Sequence, residues 1–268
     1  MIDIDKGKKI GIISSRLAPN RYQSLALLII LSALSLSLWD VPWAQAILSP
    51  VRTSVTAVHE LGHAIACLAT GGSVTGMTIV SDNNGHGGLT FCSGGLPFIY
   101  TQTGYLGTAL FGSFLIFVGQ YPRAAKAILA LLGLTICTAS LTFMFGTILH
   151  GEILQGLGSM LWGALIGAAL IWGGVKLQPS AANFILIFLA AQTALNAVTD
   201  IIILSKLSIG LIPSASFSDA TNMAVITGIP AAFWSILWGI ASLSMLSATL
   251  WFCYRPKQPK VQYHPLKP

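Results

Sequence analysis

The chain has 268 residues, of which 54% are hydrophobic and only 8% charged. Soluble domains carry about 25% charged residues, so the composition excludes a soluble globular protein and predicts an all-α polytopic membrane protein built as one helical bundle. The formal net charge of +6 is no nucleic-acid footprint, because the basic residues flank the apolar runs: Lys6, Lys8, Lys9, Arg16 and Arg21 precede the first, and Arg255, Lys257, Lys260 and Lys267 follow the last. The positive-inside rule holds such flanks in the cytosol, so the expected surroundings are lipid, and nucleic acid is not an expected partner.

Residues 1–23 read as a basic cytosolic tail, and the membrane domain as residues 24–253. A first helix is predicted from Ser24 to about Leu48, interrupted near Asp40-Val41-Pro42. Basic residues, the apolar run Leu25–Leu38 and Ala44-Gln45-Ala46 loosely resemble a signal peptide and its cleavage site. Such a leader would be long, and Trp39, Asp40 and Pro42 interrupt it, so the helix is expected to stay uncleaved. A second helix is predicted from Arg52 to Thr70, stopped by Gly71-Gly72.

Residues 71–103 are the least helical part. Eight glycines fall between Gly71 and Gly95, and Asn83-Asn84-Gly85 is a turn signal. Val74–Val80 and Gly88–Cys92 flank that turn as short strands of a small β-hairpin, with an ordinary extramembrane loop as the alternative. Apolar segments follow at about 104–120, 124–148, 152–175, 182–205 and 229–253, each near the ~20 residues that cross a bilayer. Gly163-x-x-x-Gly167 fits close helix packing. The tail 254–268 reads as disordered and basic.

Six or seven spans result, and seven would leave the two basic tails on opposite sides. Arg123, Lys126 and Lys176 in short loops agree with a cytosolic C-terminus. Parity must therefore break early, either through a glycine-rich segment that re-enters the membrane or through an early helix that fails to cross. Irregular backbone at membrane depth is tolerated where it lines a cavity. The cysteines Cys67, Cys92, Cys137 and Cys253 are scattered without a C-x-x-C pair, which argues against a disulfide framework; Cys67 reads as a small buried helix residue.

The chemistry concentrates in Val58-His59-Glu60-Leu61-Gly62-His63-Ala64. Residues four apart share a helix face, so His59 and His63 can reach one Zn²⁺ at about 2.0–2.1 Å. Glu60 is placed one step round the helix, where it can take a proton from the water that such a metal activates. A catalytic zinc usually has three protein ligands and one open position. Asp3, Asp5, Asp40 and His264 lie far out in the sequence, Asp82 and His86 occupy the turn, and His150 and Glu152 sit at a short interhelical loop. Asp200 stands within an otherwise apolar helix, 182–205, where an acid is costly and marks a functional candidate. Asn196 is four residues earlier on the same face, offering a hydrogen-bond donor for substrate. Asp219 is the alternative metal ligand, although it also reads as an N-cap for residues 220–227.

These residues carry a resemblance. His59-Glu60-Leu61-Gly62-His63-Ala64 in a hydrophobic helix, followed by an intramembrane acid, resembles the site-2 protease family of intramembrane zinc metalloproteases. The glycine-rich segment, Gly104-Tyr105-Leu106-Gly107, the Asn196/Asp200 helix and Ser218-Asp219-Ala220 resemble its short B-subfamily branch, without a PDZ domain. No Leu-Asp-Gly motif is present. The resemblance implies hydrolysis of peptide bonds in transmembrane or membrane-anchored proteins, with zinc on His59, His63 and Asp200 and with Glu60 as general base. It also implies a strand that holds an unwound substrate segment by β-augmentation, and Asn196 near the oxyanion. Two rivals stand against it: an inactive relative that binds transmembrane partners, and a metal transporter, which would need no Glu60 and more donors along a path.

Overall fold

The structure, a computed structural model, describes residues 21–38, 41–80, 87–195 and 218–255. Along them run α1 (Arg21–Ser37), α2 (Pro42–Ala69), strands β1 (Ser73–Thr78) and β2 (Leu89–Ser93), α3 (Pro97–Thr103) and α4 (Tyr105–Val118). Then come α5 (Pro122–Ala139), one π-helical turn (Ser140–Met144), α6 (Phe145–Leu149), α7 (Ile153–Lys176), α8 (Pro179–Ala194), α9 (Asp219–Thr227) and α10 (Ala231–Tyr254). The chain is thus mostly helical with one small two-stranded sheet. Among the described residues three rods are long and apolar enough to cross a bilayer: Arg123–Leu149, Ile153–Lys176 and Ala231–Tyr254. The apolar parts of α1, α4 and α8 are shorter, so length and composition support three full spans where the sequence predicts six or seven. Part of the predicted 182–205 span, with Asn196 and Asp200, lies outside the described residues, as do both tails.

The predicted break between the first helix and the second is absent. α2 runs unbroken from Pro42 through Pro50 to Ala69, and the chain turns earlier, before Pro42. Pro50 has no N–H to offer the carbonyl of Ala46; the hydroxyl of Ser49 donates to that oxygen instead, at 3.0 Å. Proline survives inside a membrane helix when a neighbouring hydroxyl restores the lost bond. At the other end Gly71 adopts φ 84°. The Gly72 N–H donates to the Cys67 carbonyl at 2.8 Å and the Gly71 N–H to that of Leu68 at 3.1 Å, the glycine-dependent stop the sequence predicts.

The predicted hairpin forms, with Thr78 opposite Leu89, Met77 opposite Thr90 and Val74 opposite Cys92, and an irregularity between Val74 and Gly76. Its outer edge on β1 is clasped by helix hydroxyls. Thr147 accepts from the Met77 N–H at 2.8 Å and donates to the Met77 carbonyl at 2.9 Å, and Ser159 accepts from the Ile79 N–H at 2.9 Å. Met77 and Ile79 are accordingly buried. The hairpin folds back along α2, and there a disulfide joins Cys67 to Cys92, closing a sequence separation of 25 residues with Cα atoms 6.2 Å apart. This corrects the expectation of unpaired cysteines. The pairing is set by the antiparallel return of β2 beside α2, which residue spacing does not reveal.

Behind the hairpin, α5 and α7 pack at backbone distance. A Cβ on Gly167 would strike the Gly133 carbonyl and Cys137, and one on Gly163 would strike Ser140 and Met144. The small-residue pair therefore works as the sequence predicts: dispersion contacts between close backbones hold helices together where lipid offers no hydrophobic drive.

Candidate metal centre

His59, Glu60 and His63 are all buried in the middle of α2. The Nε2 atoms of the two histidines lie 3.0 Å apart. Asp219, the first residue of α9, brings Oδ2 to 3.0 Å from His59 Nε2 and 3.1 Å from His63 Nε2. Three donors thus converge on one point. Around a tetrahedral zinc with bonds of about 2.0–2.1 Å the ligand atoms would stand about 3.3 Å apart, so the three atoms already nearly define one face of such a site.

Each donor is held by a local cause. His63 donates its Nδ1–H to the Tyr100 carbonyl at 2.6 Å, which leaves Nε2 with its lone pair toward the cluster, the tautomer a metal needs. His59 packs edge-on against Tyr105, ring centroids 4.6 Å apart, and Tyr105 stacks on Trp238 at 5.4 Å. Asp219 is not the helix cap. Ser218 takes that place, its hydroxyl accepting from the Thr221 N–H at 3.3 Å while the Thr221 hydroxyl accepts from the Ser218 N–H at 2.9 Å. The reciprocal cap frees the neighbouring carboxylate for the histidines. Ala220 and Met223 anchor α9 against Trp234 and Trp238.

Between α3 and α4, Gly104 lies directly on the two imidazoles: a Cβ there would overlap His59 Nε2 and Cε1 and His63 Nε2. Only a residue without a side chain leaves room at the ligand atoms. Gly62, between the histidines, is similarly pressed against the Thr103 carbonyl, which fixes α3 on α2. The donor set, its tautomer and this clearance all suit a zinc ion.

Glu60 brings a carboxylate oxygen within 4.8 Å of both histidine nitrogens. Thr90 of β2 donates to Glu60 Oε2 at 2.7 Å and lies 3.1 Å from the Glu60 carbonyl oxygen. Of the acids weighed from sequence, Asp219 is the one the described residues bring to the histidines, while Asp200 and Asn196 lie outside them. Thr90 carries no sequence signal, because nothing in a lone strand threonine announces a partner 30 residues back. Gly104 was legible only as part of a family-like motif.

No curated relative and no solved structure matches the chain. A buried His-Glu-x-x-His helix with its nitrogens converging on an aspartate, set among apolar helices, nevertheless agrees with what the family comparison finds: over residues 24–249 the chain matches, and belongs to, the Peptidase M50B-like family.

Proposed function

We propose that the chain is an intramembrane zinc metalloendopeptidase that cuts transmembrane or membrane-anchored proteins, with His59, His63 and Asp219 as the zinc ligands. The observation that carries this reading is the convergence of His59 Nε2, His63 Nε2 and Asp219 Oδ2 within 3.1 Å of one another. Zinc held there would supply Lewis acidity to a peptide carbonyl and to water. Glu60 takes the proton of the attacking water and hands it to the leaving nitrogen. A substrate helix hides its peptide bonds in i→i−4 hydrogen bonds and must unwind to be cut. β2 is the strand to receive it: β1 is clasped by Thr147 and Ser159 on its outer side, whereas β2 has β1 as its strand partner and no second one among the described residues. Asn196 remains our candidate for the oxyanion; Asp200, the third ligand expected from the sequence, lies outside the described residues, and in this reading Asp219 takes its place. A transporter would need donors spread along a path, and these donors meet at one point.

We further place the basic end of the bundle in the cytosol. Lys126 reaches the Val175 carbonyl at 3.2 Å, and Phe117 meets Phe252 at 5.9 Å, so Arg123, Lys126, Lys176 and Arg255 gather at one end. The disulfide belongs to the other end, where Phe98 meets Trp234 at 6.0 Å, and disulfides persist on the oxidising side of a membrane. An α1 whose short apolar part, Leu25–Ser37, does not cross keeps the N-terminal tail cytosolic as well.

The test pairs zinc content with cleavage of a single-span substrate in detergent. Wild type is expected to hold one zinc per chain and to cut. Glu60→Gln should keep zinc and lose cleavage, Asp219→Ala should lose both, and Asp200→Ala should keep its zinc. A chelator should abolish cleavage and added zinc restore it. Zinc-loaded wild type that never cuts, or Asp219→Ala with a full complement of zinc, would defeat the proteolytic reading and the ligand set respectively.

A further inference from the structure

Strand β2 is fastened to α2 at two points. One is the disulfide between Cys92 and Cys67; the other, two residues earlier on the same face of the strand, is the Thr90 hydroxyl at 2.7 Å from Glu60 Oε2. Glu60 is only 4% exposed, so water has little access to orient its carboxylate. The neighbouring part of the hairpin completes the arrangement. A Cβ on Gly88 would stand 2.8 Å from Glu60 Oε1 and 2.9 Å from the Thr78 carbonyl. The hairpin thus supplies a donor to one carboxylate oxygen and bare backbone beside the other.

We infer that Thr90 is a positioning residue for the reaction, its hydroxyl aiming the Glu60 carboxylate at the attacking water, so that the strand proposed to receive substrate also sets the general base. The inference rests on the metallopeptidase reading. A glutamate side chain has three free torsions, and a hydrogen bond to one carboxylate oxygen narrows the directions the other can take. Hydrogen bonds to charged groups are short and strong, and 2.7 Å is in that range. A substrate strand that displaced β2 would swing the hydroxyl with it, since Thr90 and Cys92 are carried on the same five-residue element. The disulfide keeps that element in place against α2 while substrate adds to its edge.

The experiment uses the full chain in detergent with zinc loaded, comparing wild type, Thr90→Val, Thr90→Ala, Thr90→Ser and Glu60→Gln on the single-span substrate. Thr90→Val keeps the shape of the side chain and removes the donor. The expected result is a fall in kcat of about 10- to 100-fold, the loss for a charged hydrogen bond, with KM and zinc content unchanged. Thr90→Ser should restore most of the rate, which a packing role for the methyl group would not predict. If Thr90→Val fails to fold, Thr90→Ala against Thr90→Ser makes the same comparison. Wild-type kcat in a donor-less variant, a loss confined to KM or zinc content, or a serine variant as slow as the valine one would each overturn the role of Thr90 while leaving the peptidase reading intact. Zinc-loaded wild type no faster than Glu60→Gln would overturn both.

Discussion

Gly104 shows how narrow the tolerance is at the residue scale. Its Cα lies against the ligand atoms of the candidate metal centre, and a single methyl would overlap both His59 and His63. Gly104→Ala is therefore expected to displace the ligands, and misplacement by about 1 Å costs about 100-fold in rate. Parallel measurement of cleavage and zinc content checks this, and a variant that cuts at the wild-type rate would show that the loop yields without cost. Gly107, three residues on, is a useful control, because a Cβ there meets nothing nearer than 3.8 Å; Gly107→Ala should keep its zinc and its activity.

Elements here are held by bonds between partners distant in sequence. The Cys67–Cys92 bridge spans 25 residues, and a loop of that size should contribute about 3.5 kcal/mol by restricting the unfolded chain. Cys92→Ser, or wild type under reductant, should melt at lower temperature in a thermal unfolding scan in detergent; an unchanged melting temperature would mean the bridge stabilises nothing. The α5–α7 contact makes a separate prediction. Gly167→Leu would insert four carbons where Gly133 and Cys137 already touch backbone, and overpacking of this kind costs about 1–3 kcal/mol. The same melting assay checks it, with Leu165, 55% exposed on the outer face, as the position where Leu165→Ala should change little.

Across the whole molecule, charge and oxidation chemistry point the same way. If the basic end is cytosolic, a reporter fused after Tyr254 should be active in the cytosol. A membrane-impermeant thiol reagent added after mild reduction should then reach Cys67 and Cys92 only from the opposite face of sealed vesicles. Labelling from the cytosolic face would reverse the orientation.

Much of this was readable in the chain itself, because the signals were local. The helical spacing of His59 and His63, the Gly71-Gly72 stop, the two short strands expected at 74–80 and 88–92 and the small face of Gly163 and Gly167 each depend on neighbours within a few residues, where backbone geometry alone sets which side chains share a face. The continuity of α2 through Pro50 was less legible, since it turns on whether Ser49 can replace the lost hydrogen bond. Tertiary structure decided everything that joins distant segments: the approach of Asp219 across 160 residues to His59, the Ser218 cap that frees it, the Cys67–Cys92 bridge and the reach of Thr90 to Glu60. Those contacts arise from how helices and hairpin stack, and one acid or one hydroxyl in a sequence does not say which partner packing will set beside it.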